Sequence, residues 1–372
     1  MKPDHRYRSL DAIRGIAAVG VVLFHYRNHF EVAPFAGLLG PVYQRGAVLV
    51  DVFFVLSGYL LATIYAGRRD MGTLAWRRIA RLVPLHWLML AVVAIEQFFI
   101  QRRYGVYYIY HNNDAYHFVL NLLLLQDSGL SSGLSFDGPA WSISVEWLVN
   151  LLLFALLFIG LKRVPLAAAG IALLAALALW DHGRHLHGQG MYHGVLQALL
   201  LRGAVGFFAG VALTAPFPLN GPTLRARSFV PPRVAGHLWD LVLLLSAGAL
   251  IAFMAAPDAT ALRPGVDFGV GLVVIPALVV AAVRGHWAAR ALAFPPLQWL
   301  GWISYSLYLV HFPMQAAFIL LFHTVDRRID YGQPAVFAGY LAATLAVSYL
   351  TWRFVEVPAQ RWLQRLPPQR HD

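Results

Sequence analysis

Cysteine is absent from this chain of 372 residues. Its absence excludes disulfide bonds, a thiolate nucleophile, cysteine-ligated zinc and iron–sulfur clusters. It also excludes any acyl-transfer mechanism that stores the acyl group on a protein thiol. The lack of cysteine is compatible with loops that face an oxidising compartment.

Charged residues are scarce, and no long polar segment interrupts the chain. They make up 13% of the residues, whereas hydrophobic residues make up 59%. A soluble domain of this length needs more polar surface than that. Because a bilayer core takes roughly 20 apolar residues per helix, the length suits about ten spans. We therefore predict an all-α, polytopic transmembrane helical bundle over residues 1–357, followed by a short cytoplasmic tail over residues 358–372.

Apolar windows divide the chain into roughly ten candidate spans. They cover residues 9–30, 47–66, 82–101, 139–161, 164–181, 195–214, 238–256, 266–284, 302–323 and 334–353. The longest connection contains a short apolar segment, Phe118 to Leu125, which we interpret as an interfacial or re-entrant helix. The first span contains Asp11 and Arg14 and lacks a clear small-residue cleavage site, so we expect it to be retained.

The net charge of +11 has the layout of a membrane protein. If the N-terminus is cytoplasmic, roughly two-thirds of the lysines and arginines fall in cytoplasmic segments, as the positive-inside rule requires. Both termini are therefore predicted to be cytoplasmic. No basic stripe interleaved with aromatic residues accompanies the charge, so we do not expect nucleic-acid binding.

The first span carries Arg14 and His25 along its length, and ionisable residues inside a membrane mark functional sites because they are costly there. Arg14 and His25 are eleven positions apart. At about 100° and 1.5 Å per residue, they share one helix face and lie about 16 Å apart along the axis. The alternative is that Arg14 only reaches toward lipid headgroups and that His25 is an ordinary interior histidine.

Two carboxylates, Asp51 and Glu146, are expected in the outer parts of the second and fourth spans. Glu146 is predicted at the depth of His25, where a carboxylate would fix the tautomer of the imidazole and raise its basicity. Asp51 is the other candidate for this role, and a structural polar contact is the alternative for Glu146.

His311 falls near the middle of the ninth span, and we assign it no role.

The remaining candidates lie toward the cytoplasmic side. Arg77 and Arg81 precede the third span with i,i+4 spacing, so they share a helix face that suits phosphate. Binding of lipid headgroups explains this pair equally well. The hydroxyl groups of Ser304 and Tyr305 lie at the inner end of the ninth span, and Arg353 lies at the cytoplasmic end of the last span.

One outer loop, residues 181–187, is rich in histidine, and His193 follows it. Such a segment is able to bind a transition metal. Its glycine, its neighbouring arginine and its loop position favour a solvated loop, or one that contacts a substrate. We expect no metal site in this protein.

Six segments together resemble the acyltransferase-3 family of integral membrane O-acyltransferases. They are Leu10–Gly15 with its Arg14-x10-His25 spacing, Val50–Gly58, Arg77–Pro84, Trp141–Glu146, Ile303–Leu309 and Glu356–Pro358. Each segment is weak alone, but the ordered set is specific and extends from residue 10 to residue 358. Leu49 stands where the family often has glycine, and Trp147 and Asn150 depart from its usual glutamate and aromatic residues. These departures concern packing or acceptor fit.

The resemblance implies an enzyme with ten spans that occupies residues 1–357 and uses acyl-coenzyme A from the cytoplasm as donor. It favours acetyl-coenzyme A and a carbohydrate acceptor such as O-antigen, exopolysaccharide or another cell-surface glycan. It also favours a bacterial inner membrane as the location, with membrane lipids as further partners. Some family members carry an appended soluble domain, which we do not expect here.

The predicted geometry agrees with this chemistry. Arg14, with Arg77 or Arg81, would hold the donor phosphates, and the distance from Arg14 to His25 is roughly the reach of a pantetheine arm. The cofactor-binding set is Arg14, Arg77, Arg81, Ser304, Tyr305 and Arg353. The catalytic set is His25, Glu146 and Asp51.

In the predicted mechanism, His25 deprotonates an acceptor hydroxyl, and either Glu146 or Asp51 orients it. A transient acyl-histidine is a variant of this mechanism. The main alternative function is a transporter or flippase, in which buried charge lines a path. No internal repeat is evident, which disfavours a transporter built from inverted halves.

Overall fold

The computed structural model describes residues 5–131, 133–161, 163–188, 190–216, 232–258, 263–322 and 329–366. Over these residues the fold is all-α apart from a hairpin of two short strands, β1 (Met191–Tyr192) and β2 (Leu196–Gln197). The predicted cytoplasmic tail begins as a helix, and its last residues, 367–372, lie outside the described part of the chain.

Fifteen α-helical segments follow one another in the described residues. They are α1 (His5–Phe30), α2 (Ala36–Arg45), α3 (Leu49–Ile64), α4 (Met71–Tyr104), α5 (Ala115–Leu122), α6 (Trp141–Phe158), α7 (Val164–Gly183), α8 (Ala198–Ala212), α9 (Pro232–Ala255), α10 (Val266–Gly269), α11 (Ile275–Arg284), α12 (Ala288–Leu292), α13 (Pro295–Phe322), α14 (Pro334–Thr351) and α15 (Val357–Leu363). Short 3₁₀ turns cover Gly46–Val48 and Gly138–Ala140, and π-helical turns cover Val270–Val274 and Trp352–Glu356.

Nine helices of the described residues are long and apolar enough to cross a membrane. Each coincides with one of the predicted spans, and the tenth corresponds to α8, which is apolar but has only 15 residues. At 1.5 Å per residue, α8 is about 22 Å long, shorter than a typical hydrocarbon core. The prediction of an all-α, multi-pass membrane protein is confirmed, and the short predicted helix in the longest connection exists as α5.

The third span begins earlier than its apolar residues suggest. Asp70 caps α4, since its Oδ1 accepts a hydrogen bond of 3.0 Å from the backbone amide of Thr73. From this cap the helix continues without interruption through Pro84 to Tyr104. The arginines before the span and the polar residues near its outer end therefore belong to one rigid element.

Close helix crossings hold the centre of the bundle together. A Cβ on Gly58 of α3 would overlap the carbonyl oxygen of Phe207 on α8, and one on Gly210 would overlap the carbonyl of Val55. In the same way, a Cβ on Gly15 of α1 would lie 2.6 Å from the backbone nitrogen of Gly301 on α13. Small residues allow such close approach of helix backbones in membranes. The crossing of α1 and α13 brings together the ionisable residues of the first and ninth spans.

Candidate active site

A cavity of about 280 Å³ opens among α1, α3, α4, α6 and α13, and we call it the arginine pocket. Its polar lining consists of Arg14, Ser57, Tyr65, Arg78, Arg81, Ser142, Glu146, Ser304, Tyr305 and Tyr308. Apolar side chains such as Phe53 and Leu60 complete the wall. Of the predicted donor-binding residues, the structure therefore brings Arg14, Arg81, Ser304 and Tyr305 to one pocket.

Arg14 joins α1 to α13 at the wall of the pocket. Its Nε donates to the Ser304 hydroxyl at 3.0 Å, and its Nη2 donates to the Gly301 carbonyl at 3.2 Å. An ion pair of 3.1 Å links Nη2 to Asp11 one turn earlier. Since a guanidinium has five N–H donors, Arg14 keeps part of its capacity for a ligand while it fixes the helix pair.

Glu146 binds a different partner from the one that its depth suggests. Its Oε1 accepts hydrogen bonds from Arg78 and, at 2.6 Å, from the Ser57 hydroxyl. A guanidinium forms a stronger, charge-assisted hydrogen bond with a carboxylate than a neutral imidazole does. The prediction that Glu146 orients His25 is therefore wrong, because Arg78 on the neighbouring helix neutralises this carboxylate.

The arginines of α4 differ in their surroundings. Arg77 is exposed, whereas Arg78 and Arg81, three positions apart, line the pocket. Arg78 is engaged by Glu146, but Arg81 makes no hydrogen bond or ion pair with a residue that the structure describes. Arg81 interacts electrostatically with Glu356, but all of its N–H donors remain open to an anionic ligand. The assignment of Arg77 to this site is wrong by one helical position.

Arg353 is also exposed and does not line the pocket. It lies in the π-helical turn after α14, whose extra residue changes the helical phase. Glu356 faces inward instead and accepts a 2.7 Å hydrogen bond from the Ser306 hydroxyl. The assignment of Arg353 to the donor site is corrected for this reason.

A second polar group, the histidine cluster, comprises His25, His29, His311 and Gln315. The ring centroids of His25 and His311 are 4.8 Å apart, and those of His25 and His29 are 5.2 Å apart. His29 Nδ1 lies 2.7 Å from Gln315 Oε1. The four side chains come from two helices, each of which supplies a pair with i,i+4 spacing on one face.

The hydrogen bonds of the histidine cluster determine its tautomers. His311 Nδ1 lies 2.6 Å from the Tyr308 carbonyl, which can only accept, so this nitrogen carries the proton and Nε2 has a lone pair. His25 Nδ1 lies 3.0 Å from the Val21 carbonyl and 3.2 Å from His311 Nε2. It therefore donates to both acceptors. The lone pair of His25 is consequently on Nε2, the nitrogen that a substrate would meet.

Tyr308 separates the two sites. Its side chain lines the arginine pocket, while its carbonyl accepts the proton of His311 Nδ1. Its hydroxyl donates to the Pro139 carbonyl at 2.8 Å and lies 2.8 Å from the Ser142 hydroxyl. The ring of Phe53 packs 5.8 Å from its ring, centroid to centroid. The pocket thus ends one side chain away from the histidine cluster.

Asp51 lies in an ionic cluster of its own. Its two carboxylate oxygens accept from Arg202 at 2.7 and 3.2 Å, and Oδ2 also lies 2.8 Å from His187 Nε2. The other nitrogen of His187 lies 3.5 Å from Asp267. The prediction that Asp51 orients His25 is wrong, because the buried guanidinium of Arg202 takes this carboxylate.

His187 belongs to the histidine-rich loop between α7 and α8. Burial and the Arg202 guanidinium lower its pKa, but the Asp51 charge and the hydrogen bonds to Asp267 and Asp51 raise it above its ordinary value. Both ring nitrogens face carboxylates, as suits an imidazolium. The loop is therefore attached to the bundle rather than fully solvated, and the described residues contain no group of three side chains suited to a metal.

Several candidate site residues are not evident from the sequence alone. The sequence analysis assigns no role in the site to Arg78, His29, Gln315 or His311. A signal existed for the histidine cluster, since His25 with His29 and His311 with Gln315 are both i,i+4 pairs inside apolar helices. Nothing in the sequence indicates that the two pairs face each other.

Together, the bundle and its two buried polar sites define a class: a multi-pass membrane protein with ionisable groups positioned for chemistry inside the bilayer. The chain matches the acyltransferase 3 family, described as an acyltransferase domain, over residues 7–353. It therefore belongs to this family. No solved structure matches the chain.

Two relatives illustrate the resemblance. The chain is 26% identical to "Peptidoglycan O-acetyltransferase OatA" of Listeria monocytogenes over 97% of its own length and 58% of the relative. It is 27% identical to "Putative membrane-bound transacylase BcsY" of Komagataeibacter xylinus, over 98% of its own length and 86% of the relative. The chain thus spans little more than half the length of the first relative.

Proposed function

We propose that the protein transfers an acyl group, most simply acetyl, from acyl-coenzyme A to a hydroxyl of a cell-surface carbohydrate. The observation that carries this proposal is the arrangement of the two sites. The Nε2 lone pair of His25 lies at one end, Arg81 lies in the pocket at the other without a hydrogen bond to a described residue, and Tyr308 contacts both sites. The names of both relatives, an O-acetyltransferase and a transacylase, support acyl transfer.

The donor enters from the side of the arginine pocket. Arg81 and the remaining donors of Arg14 bind the phosphates of coenzyme A, as guanidinium groups do well. Arg14 and His25 are eleven positions apart on α1, about 16 Å along the helix, which a pantetheine arm can span. Ser304 and Tyr305 shape the pocket, and Glu146 holds Arg78 in its wall.

The basic residues favour a cytoplasmic arginine pocket and an outward-facing histidine cluster, in the inner membrane of a bacterium. A single cysteine introduced at the exposed Arg184 tests this orientation, since the chain has no other cysteine. We expect an impermeant maleimide to label Arg184→Cys from outside intact cells and to leave a matched Arg68→Cys unlabelled. The reverse pattern would overturn the orientation.

His25 acts as the general base. Its Nε2 takes the proton of the acceptor hydroxyl while the hydroxyl oxygen attacks the thioester carbonyl carbon. The new C–O bond forms, the C–S bond breaks, and the departing thiolate receives the proton from the imidazolium. His311 Nε2 accepts a hydrogen bond from His25 Nδ1–H. This hydrogen bond keeps the proton of the imidazole on Nδ1, so the lone pair of Nε2 stays free to react. In the acyl-histidine variant, the same lone pair attacks the thioester first.

Acyl transfer by purified protein in liposomes tests the proposal. With labelled acetyl-coenzyme A and a glycan acceptor, we expect His25→Ala to lose about 10²- to 10⁴-fold in rate, the usual contribution of a positioned base. Arg14→Ala should be strongly impaired as well. His237→Ala, an exposed histidine on α9, is the matched control and should retain wild-type activity.

Wild-type turnover in both the His25 and the Arg14 variants would refute the assignment. The alternative function, transport, makes a different prediction in the same assay. A transporter would move its substrate across the liposome membrane and leave the thioester intact.

A further inference from the structure

Five buried side-chain atoms beside the histidine cluster have no hydrogen-bond partner among the described residues. Among the described residues they are both carboxylate oxygens of Asp137, Oε2 of Glu96, Nε2 of Gln315 and the hydroxyl of Tyr108. Asp137 is 1% exposed and Gln315 is 0% exposed. Buried polar groups are normally paired, so each orphan requires an explanation.

These groups come from separate elements and converge on one region. Gln315 belongs to the histidine cluster itself. The Tyr108 ring packs 6.1 Å from His29, and both rings pack against Phe312. Gln97 fixes Tyr108 from α4, since its side chain bonds the backbone N–H and carbonyl of Tyr108 at 2.8 and 2.9 Å.

Asp137 approaches the same region from the connection before α6. The next residue, Gly138, packs so closely on the Tyr110 ring that a Cβ there would overlap it. One position further, the Pro139 carbonyl accepts from Tyr308, whose own carbonyl bonds His311. Asp137 also interacts electrostatically with Glu96 of the adjacent α4. Both carboxyls thus lie on the side of the cluster away from the arginines.

The chemistry of the orphaned atoms selects a ligand class. They include hydrogen-bond acceptors as well as an amide donor and a phenol, and a hydroxyl group satisfies both kinds because it donates and accepts. An apolar ligand would leave all of these atoms unpaired. Tyrosine rings nearby offer flat apolar faces for the C–H groups of a sugar ring.

We infer that Asp137, Glu96, Gln315 and Tyr108 form a subsite for a neutral, polyhydroxylated sugar residue of the acceptor. The inference rests on the proposed function and names where the acceptor binds. Hydroxyl groups of the sugar pair with the orphaned atoms, and this contact holds one hydroxyl toward His25 Nε2. None of the described residues pairs with these atoms, and a buried polar atom without a partner carries a cost in stability that bound hydroxyl groups relieve.

This cost gives the subsite a signature that a structural role lacks. Tyr108→Phe removes only the unpaired hydroxyl, and Asp137→Asn removes the acidity of the carboxyl group. We expect both variants to be at least as thermally stable as wild type without acceptor. Both should raise the KM for a tetrasaccharide of glucose or N-acetylglucosamine about tenfold while the Kd for acetyl-coenzyme A stays unchanged.

Asp127→Asn is the matched control, because Asp127 is buried in the same connection, also has an unpartnered oxygen, and lies beside Ser144. Equilibrium binding of the tetrasaccharides separates the subsite from catalysis. If wild type binds them and the Asp137 and Tyr108 variants bind about tenfold more weakly, the subsite stands even if no acyl transfer occurs. Equal sugar binding by wild type and both variants would overturn the inference, as would loss of stability in Tyr108→Phe.

Discussion

At the scale of single residues, the proton on His25 Nδ1 has two acceptors, and one of them is a side chain that can be changed. Replacing His311 by leucine leaves the Val21 carbonyl as the remaining acceptor and frees the imidazole to rotate. A typical hydrogen bond contributes about 0.5–1.5 kcal/mol, so we expect kcat to fall about 2- to 12-fold. The KM for acyl-coenzyme A should not change.

The conservative variant distinguishes positioning from packing. His311→Gln retains an acceptor near the His25 proton, and it should recover part of the lost kcat. Steady-state kinetics in liposomes measure both effects. If His311→Gln and His311→Leu are equally active, His311 does not position His25.

Arg77 and Arg81 provide a matched pair on one helix. Arg81 lines the pocket without a hydrogen bond to a described residue, whereas Arg77 is exposed. A hydrogen bond to a charged group contributes about 1.5–3 kcal/mol, so Arg81→Ala should weaken donor binding about 10- to 150-fold. Titration with acetyl-coenzyme A measures this change. Arg77→Ala should bind the donor normally, and equal losses in both variants would contradict the assignment.

At the scale of elements, the crossing of α3 and α8 depends on two glycines. Gly58→Ala would push a methyl group into the carbonyl of Phe207, and overpacking of this kind typically costs about 1–3 kcal/mol. Gly248→Ala on α9 meets open space and serves as control. Thermal unfolding in detergent should show a lower midpoint only for Gly58→Ala. Equal midpoints would mean that the crossing can relax.

The loop that carries His187 should respond to pH. A residue whose pKa is raised in the folded state stabilises the protein fully below its unfolded pKa, about 6.5 for histidine. This contribution is lost as the pH rises through the folded pKa. The midpoint of wild type should therefore fall toward that of His187→Gln above about pH 6.5. His193→Gln, an exposed neighbour, should follow wild type, and a constant wild-type advantage up to high pH would contradict the ion pairs.

The elements also show how far sequence reasoning reaches. Hydropathy located every span because the bilayer imposes a length and a composition on each helix. The depth of a residue follows from its position in the span, and Glu146 was placed by depth alone. Its partner depends on the rotation of α4 and α6 about their axes, which packing decides. Because this rotation is not evident from the sequence, Arg77 was predicted in the pocket where Arg78 lies. For the same reason, Glu146 was predicted beside His25 where His311 lies.

At the scale of the whole molecule, the family and the class of site could be predicted, because ordered motifs extend along nearly the entire chain. The subsite of orphaned atoms could not. It joins residues from α4, the connection before α6, and α13, and no local pattern in the sequence indicates that Asp137 and Gln315 share a region. Only the folded arrangement reveals that their polar atoms lack partners.

The position of Tyr308 has a consequence for the cell's energy supply. A membrane protein with polar sites near both faces risks conducting protons, and each charge that crosses 100 mV dissipates about 2.3 kcal/mol. Tyr308 contacts both sites and is fixed by Pro139, Ser142 and Phe53, so we expect it to hinder proton movement between them. We expect liposomes with Tyr308→Ala to lose an imposed pH gradient faster than those with wild type, as read by an internal fluorescent dye. Equal decay would mean that other side chains insulate the membrane, and the tyrosine would then serve only to shape the path of the acyl group.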